Sequence, residues 1–251
     1  MTALRLSPAE FFTCWSSLAL DEPPPLLQIR PPGFTMADHR RILADTAAAL
    51  RALGLFTSDH PEPTLRRTLE TLARPDYTLD IRYAADPHTQ TLGLAAINGA
   101  SATVAISDGT GQGPIDLLTL DSAHAPAHLL SLAGPITPGR TAAVNLPLEV
   151  LDEARTATPN GDLWAIADHL HARGIPRADA SSFARMCADI QAGGQLGATS
   201  PRRRGPWVIA FHRTPTGHYM QLKRHHTLTI CPAAPALLIR HWRELLEAVS
   251  G

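Results

Sequence analysis

Apolar residues along the first 75 positions recur every three or four residues, which is the spacing of amphipathic helices. Ser7 opens a capping box with proline at the first helical position, and Thr35 is predicted to cap a second, longer helix. Leu65, Leu69 and Leu72 form the apolar stripe of a third helix. The pattern therefore predicts that the N-terminal part of the chain is mainly helical.

The period then changes to that of β-strands. Polar and apolar residues alternate along residues 77–83, which predicts a strand with one solvent-facing side. Further strand-like runs follow closely, at 91–97, 102–107 and 115–120. Strands joined by such short connections must be antiparallel, because a parallel crossover needs a dozen or more residues. A short helix around 127–133 and a strand near 142–146 are expected to follow.

The second part of the chain repeats this change of period. Helical spacing returns from Pro147 to about Gln191. The glycine-rich run 193–197 and the arginines at 202–204 are expected to form a flexible, basic connection. Strand-like alternation follows, at 207–211, 218–223 and 228–230. An amphipathic helix is predicted to close the chain.

The two parts share one order of elements: helices, then an antiparallel meander, then a closing helix. Each closing helix begins near the same tripeptide, Ala125–Ala127 in the first part and Ala234–Ala236 in the second. We therefore expect an α+β fold over residues 1–251, built from two related halves of about 1–140 and 141–251.

Composition narrows the classes of function. The formal net charge of -1 gives no overall field that would attract nucleic acid or an acidic membrane, so neither is expected as a partner. Residues 87–107 lack charged side chains, but histidine, glutamine and asparagine interrupt them, and no membrane insertion is expected. The N-terminus lacks the apolar core of a signal peptide, and the three cysteines are far apart. These features predict a cytoplasmic protein.

One run resembles a phosphate-binding loop. Asp108–Gly113 is rich in glycine, but such a loop needs a helix directly after it, where free backbone N–H groups meet the anion. The residues that follow, 115–120, have strand spacing, so a hairpin turn is the favoured interpretation.

The twelve histidines do not have the spacing of a metal site. His169 and His171 are two apart on a predicted helix and would point in different directions, and proline lies between His124 and His128. There is also no GxSxG nucleophile motif. We therefore expect no metal, no cofactor and no enzyme activity, although catalytic groups can assemble from distant residues without a motif.

Short motifs in the C-terminal third follow one another in a characteristic order. A glycine turn at Gly194–Ala198 precedes the arginine cluster, and a hairpin with the sequence TPTGHY occupies Thr214–Tyr219. The run Thr227–Pro232 then leads into a leucine-rich final helix. Upstream, an acidic-proline link lies at Asp21–Pro25, and a Leu-Ala-Arg-Pro break ends at Pro75.

In this order of motifs the chain resembles the EspG family, over nearly its full length. The family consists of cytosolic chaperones of mycobacterial-type (ESX, type VII) secretion in actinobacteria that bind PE–PPE heterodimers. Arg213 and His218 depart from the family pattern, which has aspartate and arginine there. The resemblance implies a quasi-two-fold fold, with a central antiparallel sheet flanked by helical bundles. It also implies that the chain keeps a PE–PPE heterodimer soluble by covering its hydrophobic tip, and directs it to the secretion system.

The resemblance further implies a contact surface made by a loop between early strands and by the second-half sheet with its helices. By position, the partner-binding residues are expected in four places: Asp86, His88 and Gln90 in the loop, Phe183 on a helix, Gln195 and Leu196 in the glycine turn, and Trp207 and Ile209 on a strand. The alternation along 207–211 leaves open which face of that strand is core. Whether the chain also forms a homodimer is not decided by the sequence.

Two other classes of function are not excluded by the sequence. The chain could be a small-molecule enzyme that uses dispersed histidine and aspartate residues on an α+β scaffold. It could also be a regulatory domain whose arginines 202–204 contact nucleic acid.

Overall fold

The computed structural model describes residues 3–250. The first half contains β1 (Ala3–Leu6), α1 (Pro8–Ser17), α2 (Met36–Ala52), the short pair β2 (Phe56–Thr57) and β3 (His60–Pro61), α3 (Pro63–Ala73), β4 (Tyr77–Ala84), β5 (Gln90–Asn98), β6 (Ser101–Ser107), β7 (Ile115–Asp121) and α4 (Ala125–Ser131). The second half contains β8 (Val144–Pro147), α5 (Leu148–Ala157), α6 (Leu163–Ala172), α7 (Arg177–Cys187), β9 (Ala192–Thr199), β10 (Ile209–Thr214), β11 (Gly217–Arg224), β12 (Thr227–Pro232) and α8 (Pro235–Ser250).

Apart from the short β2–β3 pair, the two halves repeat one order: a strand, three helices, four strands and a final helix. Within the described residues, ten strands form one sheet in the order β1-β7-β6-β5-β4-β9-β10-β11-β12-β8. Each half supplies five neighbouring strands, and β4 joins β9 antiparallel at the centre, from Thr78 opposite Thr199 to Ala84 opposite Gly193. The expected α+β fold with two antiparallel meanders is confirmed. The predicted boundary near residue 140 falls between α4 and β8.

Local signals explain several element boundaries. The Oγ atom of Ser7 accepts a hydrogen bond from the backbone N–H of Glu10, and the Glu10 carboxylate accepts one from the N–H of Ser7. This is the predicted capping box. Thr35 caps α2 through Asp38, as expected. Strand β1 was not predicted; it pairs with β7 at the edge of the sheet.

One face of the sheet packs against α4 and α8. Leu79 and Ile81 of β4, together with Leu196 of β9, lie in a single core cluster with Leu129 of α4 and Trp242 of α8. The Nε1 atom of Trp242 donates a hydrogen bond to the backbone oxygen of Gly197 at 2.8 Å. The closing helix is thereby fixed to the central strands.

The two groups of three helices pack against the opposite face. Helices α1–α3 cover the strands of the first half, where Leu94 and Leu117 enter their core cluster. Helices α5–α7 cover β11, β12 and β8, where Tyr219 and Ile230 enter a separate cluster. Between the two bundles, the central strands keep part of this face open.

The glycine-rich run 193–197 corrects the sequence-based expectation. It is not a flexible connection but part of β9, which pairs with β4 on one side and β10 on the other. Its glycines provide space for neighbours: a Cβ atom on Gly194 would lie 2.6 Å from the ring of Phe211. The predicted strand 207–211 begins two residues later, at Ile209, and continues to Thr214. The loop Asp108–Gly113 is a hairpin turn between β6 and β7, as expected.

This placement makes Leu196 a core residue. Its side chain is 0% exposed, whereas that of Leu53 at the end of α2 is 67% exposed. We expect Leu196→Ala to lower the free energy of unfolding by about 2–5 kcal/mol, because it leaves a cavity between the sheet and α8. Leu53→Ala is the matched control and should stay within about 0.5 kcal/mol of wild type. Urea denaturation followed by circular dichroism measures both. Equal stabilities of the two variants would contradict the central position of β9.

Candidate functional site

A trough of polar side chains crosses the middle of the sheet between the two helical bundles. Residues directly opposite each other in neighbouring strands point to the same face. Asp80 pairs with Gly197, Arg82 with Gln195, and Gln195 in turn with Ala210 of β10. Because Asp80 is also opposite Leu94, which enters the core under α1–α3, this is the face that carries the bundles. We call it the central trough, and define it by Thr78, Asp80, Arg82, Gln195, Gly197, Thr199, Ala210 and Gln221.

The composition of the trough differs from that of the opposite face. Arg82 and Gln195 are exposed, and Thr78, Ala210 and Gln221 are half-buried. On the opposite face, the neighbours Ile81 and Leu196 are fully buried beneath α4 and α8. The alternation predicted for 77–83 is therefore present, and its polar side forms the floor of the trough.

Asp80 is the buried charge of the trough. Its side chain is 8% exposed, and the Nη2 atom of Arg204 donates a hydrogen bond to its Oδ1 atom at 3.4 Å. Burial raises the pKa of Asp80 above its ordinary value, while the positive charges of Arg204 and Arg82 act in the opposite direction. The two arginines therefore do not fully offset the cost of burying the charged carboxylate in the folded chain.

The connection between β9 and β10 brings Arg204 to this position. Ser200 and Arg203 bond to each other's backbone in a tight turn, and Arg204 then runs back beside Thr199. The arginines 202–204 are exposed as predicted, but Arg204 is paired with Asp80, and Arg203 donates to the backbone oxygen of Ala248. The connection is thus folded and anchored, which corrects the expectation of a flexible loop.

Gly197 leaves room for this ion pair. A Cβ atom at Gly197 would lie 2.6 Å from the Oδ2 atom of Asp80 and 3.0 Å from Nη2 of Arg204. No side chain could occupy that space without displacing the carboxylate. The glycine is therefore required by a tertiary contact rather than by a turn.

A pocket of about 410 Å³ lies at the floor of the trough, beside the proline-rich link that follows α1. We call it the Asp80 pocket. Its floor carries Asp80, Arg82 and Arg204, and its walls are largely apolar. The wall residues come from the link, from the end of α3 and the turn after it, and from β5: Pro24, Pro25, Leu26, Leu72, Ala73, Pro75 and Leu94.

The loop between β4 and β5 borders one end of the trough, where Ala84 lies opposite Gly193. Asp86 organises this loop, since its Oδ1 atom accepts hydrogen bonds from the backbone N–H groups of His88 and Thr89 at 2.7 and 2.8 Å. The His88 bond is the main reason that the pKa of Asp86 is lowered. The exposed side chains of His88 and Gln90 extend this polar rim.

The structure separates the eight residues that the sequence suggested. Asp86, His88 and Gln90 lie at the end of the trough, and Gln195 lies on its floor. The other four do not share that surface.

Leu196 and Ile209 are opposite each other in β9 and β10 and are fully buried beneath α8, so neither is exposed for a direct contact. Trp207 is half-buried on the α8 side, with the guanidinium of Arg224 4.5 Å from its ring centre. Phe183 is 6% exposed in the core of the α5–α7 bundle. Strand alternation explains the burial of Leu196 and Ile209, because successive side chains of a strand point to opposite faces.

Asp80 and Arg82 are trough residues that the sequence analysis did not single out, and Arg204, which pairs with Asp80, was noted there only as part of the basic connection. The polar alternation of 77–83 placed Asp80 and Arg82 on one face, which was a usable signal. The pairing of Asp80 with Arg204 bridges 124 positions and had no sequence signal.

One of the dispersed histidines lies in the core, between β10 and α7. His212 is buried, and its Nε2 atom lies 2.6 Å from the backbone oxygen of Met186, while Gln221 lies 3.3 Å from its Nδ1 atom. Burial lowers the pKa of His212, so the neutral ring is favoured. No group of three or more His, Cys, Asp or Glu side chains in residues 3–250 has the arrangement of a metal site. None of the helices in that range is both long and apolar enough to span a membrane.

Comparisons with known proteins agree with the resemblance seen in the sequence. A family model described as the EspG family matches residues 7–244. The fold is similar to a solved structure of the Mycobacterium tuberculosis type VII secretion system chaperone EspG5 in complex with a PE25–PPE41 dimer, with a TM-score of 0.79 and 18% sequence identity. That alignment covers 99% of this chain and 97% of the other.

A second structure, full-length peroxisomal multifunctional enzyme type 2 from Drosophila melanogaster, has a TM-score of 0.15 and 13% identity. That alignment covers 92% of this chain and 48% of the enzyme chain, and a similarity this low carries no argument. No curated protein matches the chain.

The contrast between Asp80 and Asp86 gives opposite pH dependences. The raised pKa of Asp80 means that its contribution to stability is greatest at low pH and is lost as pH rises through the folded-state value. Asp80→Asn should therefore be at least as stable as wild type at pH 7. In acid, its stability relative to wild type should be lower than at pH 7. The lowered pKa of Asp86 predicts the reverse, with a destabilising effect of Asp86→Asn that disappears as pH falls. Urea denaturation between about pH 2 and 8 measures both, because the ordinary pKa of an aspartate is about 3.9 and that of Asp86 is lower. Parallel curves for the two variants would contradict this contrast.

Proposed function

Because this chain belongs to the EspG family, we propose that it is a chaperone of type VII secretion that binds a PE–PPE heterodimer. It keeps the heterodimer soluble by covering its hydrophobic tip and directs it to the secretion system. The observation that carries this proposal is the family match over residues 7–244, which leaves few residues of the chain outside it. The solved structure of EspG5 in complex with a PE25–PPE41 dimer supports it through a shared fold over nearly the whole of both chains.

The proposed activity needs no reaction chemistry. An exposed apolar tip on a helical protein favours self-association, and a second protein that buries the tip removes that tendency. A stable interface of this kind buries roughly 1,200–2,000 Å² in total. A binding site of that size must be an extended surface rather than a small pocket. We therefore propose that the protein is not an enzyme, and the small-molecule enzyme is the less favoured alternative.

We further propose that the central trough and the β4–β5 loop bind the heterodimer. The trough is concave, since the α1–α3 and α5–α7 bundles rise on either side of the open central strands. The opposite face of the same strands is covered by α4 and α8 and offers no comparable surface. Gln195, Arg82 and the loop residues Asp86, His88 and Gln90 are the exposed side chains of this surface.

The remaining residues suggested by the sequence have a supporting role in this proposal. Leu196 and Ile209 fix the strands that carry the trough from below, and Phe183 fixes the adjacent bundle. Trp207 lies on the α8 side and supports the β9–β10 connection.

We also propose that the protein acts in the cytoplasm, where a partner must be kept soluble before export. The chain carries free thiols at Cys14, Cys187 and Cys231. Burial raises the pKa of Cys14 and of Cys187 to about 12, so these two thiols remain protonated and unreactive. Unpaired cysteines suit a reducing compartment.

A charged side chain in the middle of the trough tests the binding surface. We expect Gln195→Arg to abolish co-purification with a PE–PPE heterodimer that wild type binds, because it places a bulky, unpaired charge in a desolvated interface. Thr119→Arg is the matched control: Thr119 is also an exposed strand residue on this face, but it lies in β7, four strands away, or about 19 Å. Size-exclusion chromatography of the co-expressed proteins measures both.

Both variants should keep the circular dichroism and melting temperature of wild type, since each residue is exposed. A folded Gln195→Arg variant that still holds its partner would remove the trough from the interface. If wild-type protein binds no PE–PPE heterodimer, the chaperone function itself is contradicted.

A further inference from the structure

We propose that the Asp80 pocket selects the bound protein by accepting one of its side chains, which has an apolar stem and a neutral end group that both donates and accepts hydrogen bonds. A carboxamide, as in asparagine or glutamine, is the side-chain group with this chemistry. The proposal rests on the proposed function, because it identifies a specificity pocket within the same trough.

The size and lining of the pocket fit an inserted side chain. Its volume of about 410 Å³ is at the lower end of the range for ligand sites, which is about 300–1,000 Å³. Pro24, Leu72 and Leu94 contribute apolar walls, and the polar groups converge at one end, where Asp80 and Arg82 lie. An amphipathic side chain can bury its stem against these walls and still reach the charged floor.

The charges of the pocket favour a neutral end group. Arg82 and Arg204 supply two positive charges, and Asp80 supplies one negative charge at the floor, with Glu22 on the rim as the second. A carboxylate would face Asp80 inside the pocket, and an ammonium or guanidinium group would face two arginines. A carboxamide avoids both repulsions, because its NH₂ group can donate to Asp80 while its oxygen accepts from Arg82.

Both floor residues have unused capacity for hydrogen bonds. An ionised carboxylate has about four acceptor sites, yet the bond from Arg204 at 3.4 Å is the one side-chain hydrogen bond to Asp80 within the described residues. Arg82 takes part in no salt bridge in the described part of the chain, and its side chain is exposed toward the trough. A ligand group between them would satisfy both.

The energetics of Asp80 point the same way. Burial disfavours its charged form, so the ionised carboxylate does not stabilise the fold. Buried charges that do not stabilise the fold concentrate at functional sites. The Asp80 carboxylate also leaves no room for a side chain at position 197 of the neighbouring strand. The residue at that position must therefore be glycine as long as Asp80 keeps its place.

The position of the pocket connects it to the proposed interface. Arg82 lines the pocket and lies directly opposite Gln195, the exposed residue at the middle of the trough. A protein segment bound over Gln195 is therefore within one side chain's length of the pocket. The pocket shares Asp80 and Arg82 with the surface that the heterodimer is proposed to cover.

Two substitutions distinguish the chemistry of the occupant. Asp80→Asn removes the negative charge with little change in shape, and Arg82→Gln removes a positive charge and leaves a shorter, neutral side chain. For a neutral end group that bonds to both, each substitution should weaken binding by about tenfold or more. A carboxylate occupant would bind Asp80→Asn more tightly, and a cationic occupant would bind Arg82→Gln more tightly. The probe is the co-expressed PE–PPE heterodimer, and isothermal titration calorimetry measures its affinity.

Matched controls lie on the exposed side of α2. Asp45→Asn and Arg40→Gln make the same chemical changes at exposed positions outside the trough, and both should bind within twofold of wild type. Unchanged melting temperatures show that a lost affinity does not come from lost folding. If Asp80→Asn does not fold, Arg82→Gln measured at about 0.1 and 0.5 M salt decides alone. A loss that persists in high salt supports the neutral occupant, and a gain, or a loss that vanishes in high salt, overturns it.

The outcomes separate this inference from the proposed function. If wild type binds the heterodimer and both pocket variants bind it as tightly as wild type does, the proposed specificity pocket is contradicted and the chaperone function stands. Tighter binding by either variant also overturns it, because the occupant would then be charged. If wild type fails to bind, the proposed function fails, and this inference fails with it.

Discussion

The antiparallel pairing of β4 with β9 is the interaction on which the rest of the structure depends. It is the one junction at which the two five-stranded halves of the described sheet meet. Leu79 and Ile81 of β4 pack with Leu196 of β9 beneath α4 and α8, which fixes the orientation of both strands. Since side chains alternate along a strand, burying this set turns the intervening residues to the opposite face. Those residues form the central trough, so one pairing determines both the core and the open surface.

The trough is also shaped by how the helices are distributed. Each half places three helices mainly over its own outer strands, and neither bundle covers the whole of the central pair. The exposed central strands would be a liability if they were apolar, because an open hydrophobic sheet promotes aggregation. Polar residues such as Arg82 and Gln195 make this surface compatible with a free, dissolved chain, while the apolar walls of the Asp80 pocket remain narrow.

Much of the fold could be predicted from periodicity, because the signals were local. The capping box at Ser7, the alternation of 77–83 and the repeated order of elements all depend on neighbouring residues. Strand β9 could not be predicted in this way, since its glycines at 193, 194 and 197 lower strand propensity. The reasons for the glycines at 194 and 197 are tertiary: the Phe211 ring and the Asp80 carboxylate occupy the space of their side chains. The Asp80–Arg204 pair also depends on a tertiary contact. The burial of Leu196 followed from a strand that the sequence had not revealed, and that of Ile209 from the face of the predicted strand 207–211 that the alternation had left open.

Side-chain footprinting by carbene labelling, with and without a bound PE–PPE heterodimer, tests most directly whether the central trough is the binding surface. We expect protection on peptides that carry Arg82, the β4–β5 loop and Gln195, with unchanged labelling of the exposed side of α8. Protection confined to α8 or to the outer edge strands, with full labelling of the trough in the complex, would contradict it.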